Sequence, residues 1–150
     1  MEPYCKICGA LTTSFSHPRT HVVFHECPRC EFIFKDENQY ISESEEIKIY
    51  HQHENSLENM GYVNYLQNFI DQAVIPYISK GNCLDFGSGP EPVLSILLKN
   101  MGFSVDIYDY YFAKEKVYEN KLYDLITATE VVEHIQHPIP VFKMLAQHLK

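Results

Sequence analysis

Apolar positions fall into three successive patterns along the chain. In the first stretch, His21-Val22-Val23-Phe24-His25 and Glu31-Phe32-Ile33-Phe34 read as short strands and predict a β-ribbon. Residues 36–48 are acidic and polar, which fits a solvated connector or the exposed face of a helix. From Gly61 onward the period changes. Val63, Leu66, Phe69, Ile70 and Ala73 recur at three and four residues and predict a helix that Pro76 ends or kinks. The helix aromatics are expected in the core. Gly81-Asn82 then turns the chain into a short apolar run, Cys83-Leu84, with Cys83 a buried thiol. Val93, Leu94, Ile96, Leu97, Leu98 and Met101 form the face of a second helix, stopped by Gly102. Strand-like runs follow at Phe103–Tyr108 and Tyr123–Thr129. A last helix spans Ile139 to Lys150, with Val141, Phe142, Leu145, Ala146 and Leu149 on one face. Strands alternating with helices predict a parallel α/β sheet behind a small β module.

The chemistry concentrates where the first parallel strand ends, at Cys83-Leu84-Asp85-Phe86-Gly87-Ser88-Gly89-Pro90-Glu91. A strand, a tight glycine turn and a helix start make the local geometry of a nucleotide site in a doubly wound fold. Gly87 and Gly89 let the backbone approach a ligand closely. Asp109 closes the next strand 20 residues after Gly89, the spacing at which an acid can meet a ribose diol. The run Tyr123-Asp124-Leu125-Ile126 leads into Glu130-Val131-Val132-Glu133-His134. No Gly-Lys-Ser/Thr follows the glycines, which argues against a phosphate-cradling P-loop.

Together these segments resemble class I methyltransferases that use S-adenosylmethionine, over residues from about 60 to the end. The resemblance implies an incomplete Rossmann-like sheet. It places Asp85, Gly87 and Gly89 around the methionine end of the cofactor and Asp109 on the ribose hydroxyls. It makes Tyr50, His51, His53 and Asn55 candidates for a segment lying over the cofactor, beside the plain alternative of a solvated polar loop. Glu91 stands where the family pattern has a small residue, and it opposes a pyrophosphate there more than a cofactor carrying an ammonium group. Only Tyr110 to Leu122 separate the second and third strong strands, too few for a βαβ unit of about 30 residues. The family's third strand is therefore expected to be short or irregular, near Lys116–Tyr118. The strand at Tyr123–Thr129 would keep a bare apolar edge, so a further C-terminal segment or a partner chain is expected to cover it.

Glu130, Glu133 and His134 follow a central strand at its ligand-binding end. Three roles compete. Glu130 or His134 could contact the cofactor or position substrate, with His134 as general base. All three could ligate magnesium or manganese, as a Glu-x-x-Glu-His segment does in some methyltransferases it resembles. The segment could simply cap the strand.

Cysteine spacing adds a separate feature. Cys5-x-x-Cys8 and Cys27-x-x-Cys30 are 18 residues apart, the spacing of a four-sulfur zinc site with a structural role, closed to substrate. With four sulfurs sufficient, His17, His21 and His25 are expected to be surface or strand residues. The organisation expected is a zinc-ribbon module at 1–36, a linker and cofactor-cover segment at 37–60, and the first part of a methyltransferase domain at 61–150. Methyltransferases of sugars and small metabolites that carry an N-terminal zinc module are similar.

The formal net charge of −8 over 150 residues argues against nucleic acid or a membrane surface as a bulk electrostatic partner. With neither a signal-peptide pattern nor a long apolar run, a cytoplasmic protein is expected. The leading expectation is methyl transfer to O, N or C of a small-molecule acceptor. Its rivals are a non-enzymatic zinc-bearing adapter with a vestigial cofactor site and a nicotinamide oxidoreductase.

Overall fold

The computed structural model describes residues 3–52 and 55–150. Three short strands, β1 (Thr13–Ser16), β2 (Val23–Glu26) and β3 (Ile33–Lys35), form an antiparallel sheet in that order. The two Cys-x-x-Cys segments are matching turns. The Cys5 amide bonds Ala10 O and Gly9 N bonds Cys5 O; likewise the Cys27 amide bonds Phe32 O and Glu31 N bonds Cys27 O. Each turn needs a left-handed residue after its second cysteine, supplied by Gly9 at φ 71° and Glu31 at φ 60°. His25 is a strand residue, as expected, and it also links segments. It is buried, with Ser14 Oγ at 2.8 Å on Nδ1 and Asp36 Oδ2 at 2.9 Å on Nε2, and it ties β1, β2 and the chain after β3 together.

The polar stretch then forms helix α1 (Glu43–Gln52), none of whose residues is buried. Ser42 and Glu45 make its capping box: the Ser42 amide and hydroxyl donate to Glu45 Oε2, and the Glu45 amide returns to Ser42 Oγ.

Helix α2 (Met60–Phe69) starts at Asn59, whose side chain accepts from the Tyr62 amide, and runs into a π-helical turn at Ile70–Val74. The wide turn is closed by Ile75 N to Ile70 O. One correction to the helical pattern concerns its face: Leu66, Ile70 and Val74, spaced by four residues, are buried and Ala73 is exposed.

The second sheet is parallel, in the order β5-β4-β6, from β4 (Asn82–Phe86), β5 (Ser104–Tyr108) and β6 (Leu125–Thr127). Side chains alternate across β4. Cys83 joins one core with Leu66, Ile70, Leu98 and Val105, beneath α2 and helix α3 (Val93–Asn100). Leu84 and Phe86 join the other core with Tyr118, Tyr123 and Leu145, beneath helix α4 (Pro138–Gln147). Helix α3 ends as expected, with Gly102 at φ 96° and Phe103 N reaching back to Leu98 O.

Two further expectations need correction. Residues 117–120 form a turn, not a short strand, and Tyr118 from it plugs the core against Phe86 and Tyr108. Helix α4 packs through Val141, Met144 and Leu145, while Phe142 is 51% exposed and Leu149 lies beyond the helix. Leu149 makes a parallel bridge to Tyr123, with Tyr123 N on His148 O and Lys150 N on Tyr123 O. That contact sits at the start of β6; along Leu125–Thr127 the described residues pair only with β4. Among the described residues no helix is long and apolar enough to cross a membrane.

Candidate functional site

The sulfur atoms of Cys5, Cys8, Cys27 and Cys30 all lie within 4.8 Å of one another. Cys5 and Cys30 are 3.6 Å apart and Cys8 and Cys27 3.4 Å. Zinc–sulfur bonds of about 2.3 Å in a tetrahedron require sulfur–sulfur edges of about 3.8 Å, so the set fits a metal with little movement. Burial works against a thiolate at Cys27, but backbone N–H groups at Cys30 and Arg29 and the adjoining thiols outweigh it and bring that thiol to about 6. At Cys30 the Phe32 amide favours the thiolate, yet burial and the three neighbouring sulfurs prevail and push it up to about 12. One thiolate is thus favoured at the expense of the next, a conflict a divalent cation would resolve.

A cavity of about 1020 Å³ opens at the carboxyl ends of β4, β5 and β6. Its floor is the glycine turn. Gly87 and Gly89 take φ of 84° and 70°, but their surroundings differ. A Cβ on Gly87 would overlap Val131, whereas a Cβ on Gly89 would meet nothing within 4 Å. Gly87 lets a neighbouring loop close down, and Gly89 leaves a cradle open to a ligand. The N–H groups of the turn are engaged: Gly87 and Ser88 donate to Tyr108 O at 2.7 and 3.2 Å, and Gly89 to Asp109 Oδ2 at 2.9 Å.

Asp85 and Asp109 both line this cavity. Asp85 is 2% exposed, and its carboxylate accepts from Ser95 Oγ at 2.8 Å and Thr127 Oγ1 at 3.1 Å. Burial holds its pKa above the usual carboxylate range, against those two hydrogen bonds, and the charge of Asp109 adds to the rise. Asp109 accepts from the Gly89 amide through Oδ2 and from the Tyr111 and Phe112 amides through Oδ1, so it fastens two loops together. The raised Asp85 has a consequence for stability. The unfolded chain releases this proton at lower pH than the folded one, so the stabilisation is complete below the unfolded value and is lost as pH rises toward the folded one. Asp85→Asn is therefore expected to raise the thermal midpoint at pH 7 by roughly 3 °C and to flatten its decline above pH 4. Calorimetric melts from pH 4 to 8 check this; a variant that melts lower than wild type at pH 7 would show that the carboxylate stabilises the fold.

The roof was only partly foreseen. Tyr50 and Asn55 line the cavity, His51 packs edge-on against Phe112, and His53 lies outside the described residues. The residue that sequence reasoning missed is Glu46 on α1. It accepts from Tyr111 Oη at 2.7 Å and Tyr50 Oη at 3.2 Å and lies 3.8 Å from His134 Nδ1. Burial first, and then Glu46, push the Tyr50 and Tyr111 hydroxyls upward, so both remain donors at neutral pH. The Ser42-x-x-Glu45 capping box was the available signal for a helix that carries Glu46 to the cavity.

Tyr62 and Tyr65 of α2 also line the cavity, against the expectation that this helix's aromatics are core; Tyr62 serves both. Tyr65 Oη donates to Glu130 Oε1 at 2.6 Å, and Glu130 holds a left-handed φ of 54° where β6 turns back. Such backbone in a non-glycine residue is uncommon and recurs at functional turns. Glu130, Glu133 and His134 do not gather as a metal set: among the described residues only the four cysteines do.

Strand order and a cavity at the strands' carboxyl ends, lined by the glycine turn, define a partial Rossmann-like α/β fold. The family follows from sequence: residues 51–150 match the family described as Methyltransferase domain, and the chain belongs to it. The match begins inside α1 and leaves the cysteine module outside. No curated protein and no solved structure matches the chain.

Proposed function

We propose that this methyltransferase uses S-adenosylmethionine and transfers its methyl group to O, N or C of a small molecule. The observation that carries the proposal is the open cradle at Gly89, with the Asp109 carboxylate bonded to its amide, in the wall of one cavity. Gly89 would admit the methionine half, and Asp109 would exchange its bond to the Gly89 amide for the ribose hydroxyls. The cofactor supplies an activated methyl group on a cationic sulfur, so the protein's part is largely placement. Tyrosine faces and the carboxylates of Glu46 and Glu130 suit a cationic donor. With Nδ1 of His134 turned toward Glu46, Nε2 is the ring atom available to take a proton from an acceptor.

A dinucleotide fits less well. The amides of Gly87, Ser88 and Gly89, which would cradle a pyrophosphate, are engaged by Tyr108 O and Asp109. Glu91 would add a negative charge beside it.

Calorimetry with S-adenosylhomocysteine, against NAD as comparison, tests the proposal on the zinc-loaded chain. Saturable binding of the first alone is expected, and Asp109→Ala should weaken it by at least roughly tenfold. Binding of NAD alone would overturn the assignment, and binding of neither would favour a zinc-bearing adapter.

A further inference from the structure

Lys6 lies inside the first metal-binding turn, in Cys5-Lys6-Ile7-Cys8. A lysine there would ordinarily point to water, yet its side chain is only 11% exposed. Its ammonium donates to the backbone carbonyl of Gln136 at 2.8 Å, 130 residues along the chain. It also pairs with Glu37 Oε1 at 3.1 Å, with the rings of Phe34 and Tyr40 at 5.2 and 5.6 Å from their centroids. An ammonium on a side chain so largely covered keeps its protein acceptors, because a covered charge left unpaired is unfavourable. The contact with Gln136 is therefore a firm tie.

Gln136 belongs to the loop that follows β6, and His134, Ile135 and Gln136 all line the cavity. Tyr65 holds Glu130, Val131 packs on the core and Glu46 lies near His134, but among the described residues the only hydrogen bond to Gln136 comes from Lys6. The loop has a single 3₁₀ turn at Val132–His134, held by His134 N on Val131 O at 3.0 Å and Ile135 N on Val132 O at 3.2 Å. It enters through the left-handed Glu130. We propose that Lys6 is a positioning residue: the loaded cysteine site fixes Lys6, and Lys6 holds the His134–Gln136 wall of the cavity in place. The N-terminal module would then set the shape of the ligand site without touching the ligand.

Hydrogen exchange at residues 131–136 tests this in the zinc-loaded full chain, in Lys6→Met, which keeps the aliphatic stem over the rings, and in Lys6→Arg. In Lys6→Met the metal is expected to remain, exchange in the loop to rise roughly tenfold, and amides of β4 and α3 to be unchanged. Lys6→Arg should restore protection. Stripping the metal from wild type should loosen the same loop, and should add nothing in Lys6→Met. Unchanged loop exchange in a metal-loaded Lys6→Met, or additive effects of stripping and substitution, would overturn the proposal. Should Lys6→Met lose its metal, the wild-type arm decides: a loop that stays protected on stripping overturns it. A second readout rests on the methyl-donor assignment: S-adenosylhomocysteine affinity should fall severalfold in Lys6→Met and return in Lys6→Arg. If wild type binds none, that assignment fails, while the exchange data still judge Lys6.

Discussion

Stripping the metal from the zinc-loaded chain is expected to unfold the β1–β3 sheet and leave the β4–β6 sheet standing. The small sheet has little core of its own. Cys5, Cys27, Phe34, Thr12 and His25 are its buried residues, two of them from the four-cysteine cluster, while Phe15 and Ile33 are 42% and 49% exposed. Structural zinc sites in peptides contribute on the order of 10–16 kcal/mol, far more than so few buried side chains supply. Cys27→Ser should act alike, removing the thiol that is ionised first, at about 6. Because bound thiolates must be free of protons, affinity should fall as pH falls, and steeply below about pH 6 where Cys27 itself takes one up. Metal content by mass spectrometry and amide exchange in β1–β3 provide the check. A stripped chain that keeps β2 protected would mean that the His25 bridge between Ser14 and Asp36 suffices without metal.

Local spacing carried most of what could be read from the sequence. Two Cys-x-x-Cys pairs, a glycine turn after an apolar run and a carboxylate 20 residues on are short-range patterns with a direct geometric meaning: the four cysteines cluster, and Asp109 meets the Gly89 amide. Long-range pairing was the illegible part. Nothing local says that Lys6 reaches Gln136 or that Glu46 meets Tyr111 and His134, because surface-looking charges carry no periodicity pointing to a partner. Val74 was missed for a different reason: Ala73 at three residues and Val74 at four residues after Ile70 both fit a helical period, and spacing alone does not choose between them. The cavity-facing role of Tyr65, and the second role of Tyr62 beside its core packing, were not visible because an amphipathic stripe marks the core face but does not distinguish solvent from a cavity wall beside it.

Gly87→Ala is expected to be the most damaging single change in the cavity, and Gly89→Ala separates its causes. Both glycines have left-handed φ, so alanine at either position carries a backbone penalty of about 1 kcal/mol. Only at Gly87 does the added Cβ overlap Val131 Cγ2, with Val131 Cγ1 and Cβ at 3.1 and 3.2 Å. Val131 is packed on one side against the core that contains Leu84 and Phe86, so it can give way only toward the cavity. Overpacking of this kind adds roughly 1–3 kcal/mol, or else the loop carrying Glu130 and His134 lifts from the turn. Urea unfolding of Gly87→Ala should therefore show a loss of about 3 kcal/mol together with loss of S-adenosylhomocysteine binding. Gly89→Ala should lose about 1 kcal/mol yet also lose binding, since its methyl group would stand in the open cradle. Adding Val131→Ala should recover stability in the first variant and not in the second, because it removes the two methyl groups that collide with the new Cβ. Equal unfolding midpoints for the two glycine variants would mean that backbone conformation alone, and not the approach of Val131, demands glycine at position 87.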